Sequence, residues 1–270
     1  MKSIDFEYQR PETLEATLAL LADDTRDVQL LAGGQSLIPM MNLRMAAPEV
    51  LVDLGALGLS GVALRDGWLE IGAMTRYSAL MRDDLVARHA PLMRLALPHV
   101  AHAAIRNRGT LGGSVALADP AAEVPAVLLA LNAEIEVAGR NGRRNIAADD
   151  FFVGLYETDL DDGEIVTAIR IPVQPCRTGF AEVARRHGDY AMAGVALTVG
   201  EAGARVAFFG VADRALRAPG LEEALATRGM DQAALEHLRT LPFEGDLNAS
   251  AEMKRHLAGV VLKRAFNGLA

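Results

Sequence analysis

The chain has 270 residues, with 27 Lys and Arg against 35 Asp and Glu, a formal net charge of −8 and 51% apolar residues. This length and composition predict a globular protein of one large or two modest domains, of which we favour two, and the acidic balance argues against a nucleic-acid partner. No apolar run reaches the roughly 18 residues of a membrane helix, and the N-terminus lacks the apolar core of a signal peptide, so we expect a cytoplasmic protein. The single cysteine, Cys176, excludes an internal disulfide and an iron–sulfur cluster held by this chain alone.

Helical and strand patterns alternate along the first 171 residues, which is typical of a mixed α and β fold. An Asp66-Gly67 pair predicts a hairpin turn, and Thr75 is a suitable N-cap for the helix that follows it. The patterns predict strands at 28–31, 50–54, 61–64, 68–73, 134–138, 143–146 and 165–171, and helices at 11–21, 75–81, 91–104 and 120–131.

Two prolines within four residues, Pro172 and Pro175, cannot continue a strand ladder and predict a domain boundary. We therefore expect one domain over 1–175 and a second over 176–270. The second is predicted to be a three-stranded α+β layer. Its strands are expected at 179–185, 194–199 and 205–211, and its helices at 219–228, 231–239 and 249–267.

Two glycine pairs stand out, one within Ala32–Ser36 (AGGQS) and one within Thr110–Ser114 (TLGGS). Paired glycines allow positive φ and a close approach of the backbone, so that successive N–H groups can converge on phosphate oxygens. Two such loops would clamp one diphosphate. The alternative is that each pair is an ordinary tight turn.

The segment 85–118 contains no Asp or Glu, yet it carries Arg88, Arg94, Arg106 and Arg108. In an acidic chain, such a block would provide a local positive field for a diphosphate, although a solvated basic helix face gives the same pattern. The spacings of a nicotinamide-binding glycine turn, a P-loop, a zinc protease and a serine hydrolase are all absent from the sequence.

Several motifs, taken together and in order, resemble one known family. They are AGGQSL at 32–37, NLR at 42–44, LVDL at 51–54, IGAMT at 71–75, IRNRGTLGGS at 105–114 and GDYA at 188–191. This set is similar to the FAD-binding medium subunit of the molybdenum hydroxylases, the family of carbon monoxide dehydrogenase and xanthine dehydrogenase. The resemblance extends over nearly the whole chain.

The resemblance implies a vanillyl-alcohol-oxidase-like (PCMH-type) FAD-binding fold of two subdomains, followed by the small C-terminal α+β domain. It also implies the function of an electron-transfer subunit in a heterotrimeric enzyme. The partners would be a small subunit with two 2Fe-2S clusters and a large subunit with Mo-molybdopterin. Electrons would pass from the clusters through FAD to an external acceptor. The substrate would be chosen on the molybdenum subunit, so this chain does not specify it.

The resemblance also indicates which residues bind FAD. The two glycine loops would hold the diphosphate, Glu123 would lie near the adenosine portion, the strand at Ile165 and Val166 would pack along the flavin, and Tyr190 would lie near the isoalloxazine. The full set of predicted cofactor-binding residues is Ala32, Gly33, Gly34, Gln35, Ser36, Leu37, Val100, His102, Ile105, Asn107, Thr110, Gly112, Gly113, Ser114, Glu123, Ile165, Val166 and Tyr190. No catalytic or metal-ligating residue is predicted.

One departure from the family pattern affects these expectations. The family often has a lysine just after the first strand of the C-terminal domain, where this chain has FAEV at 180–183, so the resemblance assigns no basic contact to the flavin pyrimidine near Glu182; Arg185 or Arg186 is the alternative. The first loop has Gln35 rather than histidine, and neither loop has a cysteine, so FAD is expected to be held noncovalently. The alternatives to the electron-transfer function are a free-standing flavin oxidase of the vanillyl-alcohol oxidase type and an assembly module that has lost its cofactor.

Overall fold

The computed structural model describes residues 2–270. The N-terminal part of the chain forms a small parallel sheet, sheet A, with strands in the order β1-β3-β2. Thr13 starts the first helix by accepting a hydrogen bond from the Ala16 N–H (3.1 Å). Val50 of the central strand lies between Glu7 and Val28, and it is buried. The elements are β1 (Glu7–Gln9), α1 (Leu14–Leu21), β2 (Val28–Leu31), α2 (Leu37–Asn42) and β3 (Val50–Asp53), followed by a 3-10 turn at Leu54–Ala56.

A five-stranded antiparallel sheet, sheet B, forms the second subdomain in the order β4-β5-β10-β6-β7. Ile169 of the central strand pairs with Ile71 on one side and Ile135 on the other, and all three side chains are fully buried. The elements are β4 (Val62–Arg65), β5 (Trp68–Gly72), α3 (Tyr77–Leu80), α4 (Asp84–His89), α5 (Pro91–Ala96), α6 (Ala103–Arg106), α7 (Leu111–Leu117), α8 (Glu123–Ala130), β6 (Glu134–Gly139), β7 (Gly142–Ala147), α9 (Ala148–Phe151), a β8 (Phe152–Gly154) and β9 (Glu157–Thr158) hairpin, and β10 (Ile165–Pro172).

The C-terminal part is built on a second antiparallel sheet, sheet C, in the order β11-β12-β13-β14. Helix α12 begins at Ser250, whose hydroxyl accepts from the Met253 N–H, and it packs on β11 and β12. The elements are β11 (Cys176–Ala184), β12 (Ala191–Gly200), β13 (Gly203–Phe209), β14 (Leu216–Arg217), α10 (Pro219–Arg228), α11 (Gln232–Glu236), a 3-10 turn at His237–Thr240, and α12 (Ala251–Asn267).

The prediction of a three-stranded C-terminal sheet is wrong, because sheet C has a fourth strand. Strand β14 is only two residues long, and Leu216 and Arg217 pair with Phe208 and Ala207 of β13. A strand of two residues shows no alternation of apolar and polar side chains, so periodicity alone does not reveal it.

Helix α8 lies between the two halves of the chain, and all eight of its residues are buried. It contacts both β12 and β13 of sheet C, as well as α5 and α7. Its last carbonyls are satisfied from sheet C: the Thr198 hydroxyl donates to the Ala130 carbonyl (3.0 Å) and the Arg205 Nε donates to the Leu129 carbonyl (2.9 Å). A helix buried on every side can carry apolar residues all round, which explains its uninterrupted apolar sequence after Glu123.

Two predicted helices differ from the observed ones. The helix expected over 75–81 is only Tyr77–Leu80, and Thr75 does not cap it: its hydroxyl accepts from the Gly61 N–H (2.9 Å) and donates to the Gly61 carbonyl (3.1 Å). The helix expected over 91–104 is divided into α5 and α6 by a turn in which Ala101 has φ of 43°. None of the helices formed by residues 2–270 combines the length and apolar character needed to cross a membrane.

Candidate cofactor site

A cleft of about 610 Å³ opens between sheet A and the segment that precedes α7. One wall is the loop after β2, and the other includes Arg76, Arg108 and Thr110, which are brought together by a bridge between the backbones of Arg76 and Thr110. Arg10 adds a third cation, and Asp53 is the one carboxylate among the lining residues. Three cations against one carboxylate give the cleft a net positive character, which favours an anionic ligand.

The loop after β2 presents free backbone donors to this cleft. The N–H groups of Gly33, Gly34 and Gln35 have no hydrogen-bond acceptor within residues 2–270, and all three residues line the cleft. Gln35 folds its side chain back and donates to the Gly33 carbonyl (3.0 Å). Three consecutive free N–H groups beside arginines form the type of site that binds phosphate oxygens.

The paired glycines allow neighbouring segments of the chain to pack closely against them. A Cβ on Gly33 would lie 2.4 Å from the Arg108 carbonyl oxygen, and one on Gly112 would lie 2.5 Å from the Ala73 Cβ. Of the four paired glycines, only Gly34 has a positive φ, 71°. Of the two properties that paired glycines allow, close approach applies to both pairs and positive φ to Gly34 alone.

The second glycine pair does not form a loop. It lies in the first turn of α7, where the Thr110 hydroxyl accepts from the Gly113 N–H (3.2 Å). The N–H groups of Leu111 and Gly112 donate to the carbonyls of Thr75 and Ala73 (3.0 and 2.8 Å). These donors therefore join α7 to the end of β5, and the free donors of the cleft come from the first loop alone.

Arg106 holds together the turn between α5 and α6. Its Nη1 donates to the carbonyls of Pro98 (3.3 Å), Val100 (2.8 Å) and Ala101 (2.9 Å). The guanidinium thus stabilises the backbone of a predicted cofactor-lining segment. Ala101, whose φ is positive, lies against Gly188, and a Cβ on Gly188 would lie 2.5 Å from the Ala101 carbonyl oxygen.

We predict that Arg106→Gln lowers the free energy of unfolding by about 2 kcal/mol, because three backbone carbonyls lose a charged donor. Urea unfolding of the apo chain measures this loss. Arg94→Gln is the matched control, since Arg94 is exposed on α5 and makes no side-chain hydrogen bond or ion pair among residues 2–270. It should change stability by no more than about 0.5 kcal/mol. Equal losses in the two variants would contradict the role given to Arg106.

Buried polar groups lie where the turn between α5 and α6 meets sheet C. Glu123 is 7% exposed, and burial raises the pKa of its carboxyl to about 7, with the charges of Glu182 and Asp119 raising it and that of His99 lowering it. The Tyr77 hydroxyl and the Glu182 Oε2 are buried and have no hydrogen-bond partner within residues 2–270. Buried groups without partners are rare in folded proteins and commonly indicate a place for a ligand or water.

The predicted site residues fall into two groups in the structure. The cleft brings together Ala32, Gly33, Gly34, Gln35 and Thr110. Ser36 precedes α2 and Leu37 begins it, while Gly112, Gly113 and Ser114 lie in α7. None of these five lines the cleft, and the remaining eight also lie outside its lining: Val100, His102, Ile105, Asn107, Glu123, Ile165, Val166 and Tyr190.

Exposure distinguishes the residues outside the cleft. Ile165 and Val166 are 2% and 5% exposed, so their side chains belong to the core, whereas Tyr190 is 68% exposed. Arg10 and Arg76 line the cleft but were not predicted. Arg76 directly follows the IGAMT motif, which is the one sequence signal for it, and no motif indicates Arg10.

A parallel sheet and an antiparallel sheet that meet at a basic cleft define a two-subdomain FAD-binding fold of the vanillyl-alcohol-oxidase (PCMH) type. Residues 4–174 match the family described as the FAD binding domain in molybdopterin dehydrogenase, and residues 178–269 match the CO dehydrogenase flavoprotein C-terminal domain. The chain belongs to this family of molybdopterin dehydrogenase flavoproteins, which confirms the resemblance seen in its motifs.

Similar proteins extend over almost the whole chain. The nicotine 6-hydroxylase medium subunit of Paenarthrobacter nicotinovorans is 38% identical and covers 98% of this chain and 97% of its own length. The carbon monoxide dehydrogenase medium chain of Hydrogenophaga pseudoflava is 37% identical and covers 97% of this chain and 96% of its own length. A chain of the crystal structure of quinoline 2-oxidoreductase from Pseudomonas putida 86 is similar at a TM-score of 0.93 and 36% identity, covering 99% of this chain and 97% of that one.

Proposed function

We propose that this chain is the FAD-binding electron-transfer subunit of a heterotrimeric molybdenum hydroxylase. Its partners are a small subunit with 2Fe-2S clusters and a large subunit with Mo-molybdopterin, in an assembly that is itself dimerised. FAD, when bound, accepts electrons from the iron–sulfur subunit and passes them to an external acceptor. Substrate oxidation takes place on the large subunit, and this chain works in the cytoplasm.

The free N–H groups of Gly33, Gly34 and Gln35 carry this proposal. They provide three donors beside Arg10, Arg76 and Arg108, which suits the dianionic diphosphate of FAD. Thr110 contributes to the opposite wall, and the glycines of α7 allow that wall to lie close to the first loop. The chain's part is to bind and orient the cofactor.

The remaining predicted positions are proposed to contact the rest of FAD. Val100, His102, Ile105 and Asn107 lie on one continuous segment, held by Arg106, that leads from the cleft toward Tyr190 and sheet C. We propose that Glu123, which is buried at the start of α8 and close enough to His99 to be affected by its charge, contributes to the same site.

The relatives favour this function over a free-standing flavin oxidase. Their names describe medium subunits or chains of nicotine 6-hydroxylase and carbon monoxide dehydrogenase, which are parts of larger enzymes. One cysteine in 270 residues leaves this chain unable to hold an iron–sulfur cluster alone, so clusters must come from a partner. We also propose the domain boundary at 175/176. The interval between the two family matches, which end at 174 and begin at 178, supports it.

Purification of the chain by itself tests the proposal. We expect a yellow protein with about one FAD per chain, released by denaturation because no histidine or cysteine in the first loop offers a covalent link. The isolated chain should oxidise no hydroxylase substrate, and its flavin should be reduced only when the iron–sulfur subunit is added. Substrate oxidation by the chain alone would support the free-standing oxidase, and failure to take up FAD even with both partners present would contradict the proposal.

A further inference from the structure

The turn between α5 and α6 is joined to sheet C by one charged contact. His99 Nδ1 lies 2.9 Å from Glu182 Oε1 of β11. The His99 ring also contacts Phe180 of the same strand, at 5.0 Å between ring centroids, and His187 of the turn after β11, at 5.7 Å. His99 directly precedes Val100, a predicted cofactor residue, so this contact anchors the start of the cofactor segment to the C-terminal part of the chain.

Because the His99–Glu182 contact is partly buried, its strength depends on whether His99 is protonated. The Glu182 side chain is 5% exposed and that of His99 is 34% exposed, so the pair is only partly screened by water. The hydrogen bond to Glu182 raises the pKa of His99, burial opposes this, and the charges of Glu182 and Glu123 raise it further. A protonated His99 therefore compensates a buried carboxylate that has no other hydrogen-bond partner within residues 2–270.

The charged groups around His99 come from four parts of the fold. Glu182 faces it from β11, Glu123 from the start of α8, and His187 from the turn after β11. Arg106 of α6 binds the carbonyls on either side of His99, those of Pro98 and Val100. The two carboxylates favour the charged form of His99.

We propose that His99 and Glu182 are positioning residues for the cofactor: their ion pair fixes the 98–102 turn against sheet C and so holds Val100 and His102 in place for FAD. This inference rests on the proposed FAD-binding function. It makes the C-terminal part of the chain a determinant of FAD affinity through a contact that responds to pH.

The direction of the pH dependence follows from the raised pKa of His99. The ion pair is complete below about pH 6.5, the ordinary pKa of histidine, and it is lost as the pH rises through the higher pKa of the folded state. We therefore expect FAD to bind the full chain about fivefold more weakly at about pH 8.5 than at about pH 6.

FAD titration of the apo chain, followed by flavin fluorescence at both pH values, tests the inference. Glu182→Gln and His99→Gln should bind FAD about fivefold more weakly at pH 6 than the wild type does. Their FAD affinity should change less between the two pH values than that of the wild type, because only the ionisation of Glu123 remains. His99→Lys keeps its charge throughout and should retain strong binding at both pH values. If His99 had a purely structural role, replacing it with lysine would not preserve strong FAD binding at high pH.

Asp149→Asn is the matched control, because it weakens another contact between the same two parts of the chain. Asp149 of α9 accepts hydrogen bonds from Arg205 and Arg217 of sheet C, away from the 98–102 turn. This variant should keep the pH dependence of the wild type. The inference would be overturned if Glu182→Gln and His99→Gln bound FAD with the affinity and the pH dependence of the wild type. It would also be overturned if Asp149→Asn lost the pH dependence of FAD binding. Absence of FAD binding by the wild type would instead overturn the proposed function.

Discussion

Gly33→Ala is expected to weaken FAD binding by roughly 100-fold, equivalent to about 3 kcal/mol. The new Cβ would lie 2.4 Å from the Arg108 carbonyl oxygen and 2.8 Å from the Gly109 Cα, and both are backbone atoms that cannot rotate away. The two walls of the cleft must then separate by about 1 Å to reach normal contact. Equilibrium dialysis with FAD measures the loss, and urea unfolding should show a further destabilisation of about 1–3 kcal/mol.

Two other glycines provide graded controls for this effect. A Cβ on Gly113 would meet the Thr110 hydroxyl at 2.9 Å and the Ala32 Cβ at 3.2 Å, so Gly113→Ala should weaken FAD binding by less than Gly33→Ala does. Gly259 lies in α12 with only Leu238 Cδ1 near its Cβ position, at 3.6 Å. Gly259→Ala should leave FAD binding unchanged and stabilise the helix by up to about 1 kcal/mol. If Gly33→Ala bound FAD as strongly as Gly259→Ala, the close approach of the two walls would not matter for binding.

Glu123→Gln is expected to stabilise the apo chain by up to roughly 3 kcal/mol above pH 7. Burial raises the pKa of Glu123 from 4.5 to about 7, so the folded state resists ionising a group that ionises readily when unfolded. Each pKa unit corresponds to about 1.4 kcal/mol. An amide side chain of similar shape removes this penalty because it has no charge to bury.

The effect of Glu123 should appear only in a defined pH window. Below about pH 4.5 the carboxyl is protonated in both states, and the variant and the wild type should be equally stable. As the pH rises from 4.5 through 7, the wild type loses stability relative to Glu123→Gln. Urea unfolding of both chains across this range measures the difference.

Glu15→Gln serves as the control for the Glu123 experiment, since Glu15 is exposed on α1. Its pH profile should match that of the wild type. A Glu123→Gln profile parallel to the wild type from pH 4.5 to 8 would show that the carboxyl ionises freely in the folded protein, against the burial seen in the structure.

Local sequence signals predicted those elements whose stabilising groups are close in the chain. The Asp66-Gly67 pair predicts a hairpin, and both residues adopt the positive φ that such a turn needs, 48° and 80°. The expected helix over 219–228 is present with Pro219 at its start. In these cases a turn or cap residue and its partners lie within a few positions, so the sequence contains the whole interaction.

Long-range contacts decided the elements that periodicity did not reveal. Thr75 is a good helix N-cap by residue type, but its hydroxyl binds Gly61, 14 residues away. The apolar pattern over 91–104 is interrupted because Arg106 binds the carbonyls of the turn and Gly188 admits the Ala101 backbone. Gly61 and Gly188 are distant in sequence from the residues they contact. Arg106 is nearer, five to eight residues from the carbonyls it binds, but its contacts belong to no periodic pattern.

The family motifs, by themselves, determined the class of protein, the cofactor and the first glycine loop as a candidate diphosphate site. The tertiary structure decided which donors are available: Gly33, Gly34 and Gln35 keep free N–H groups, whereas those of Leu111 and Gly112 are used to join α7 to β5. It also decided which charges surround the candidate site. Whether a donor or a charge is free depends on what folds against it, and that is a property of the packed chain rather than of any single segment.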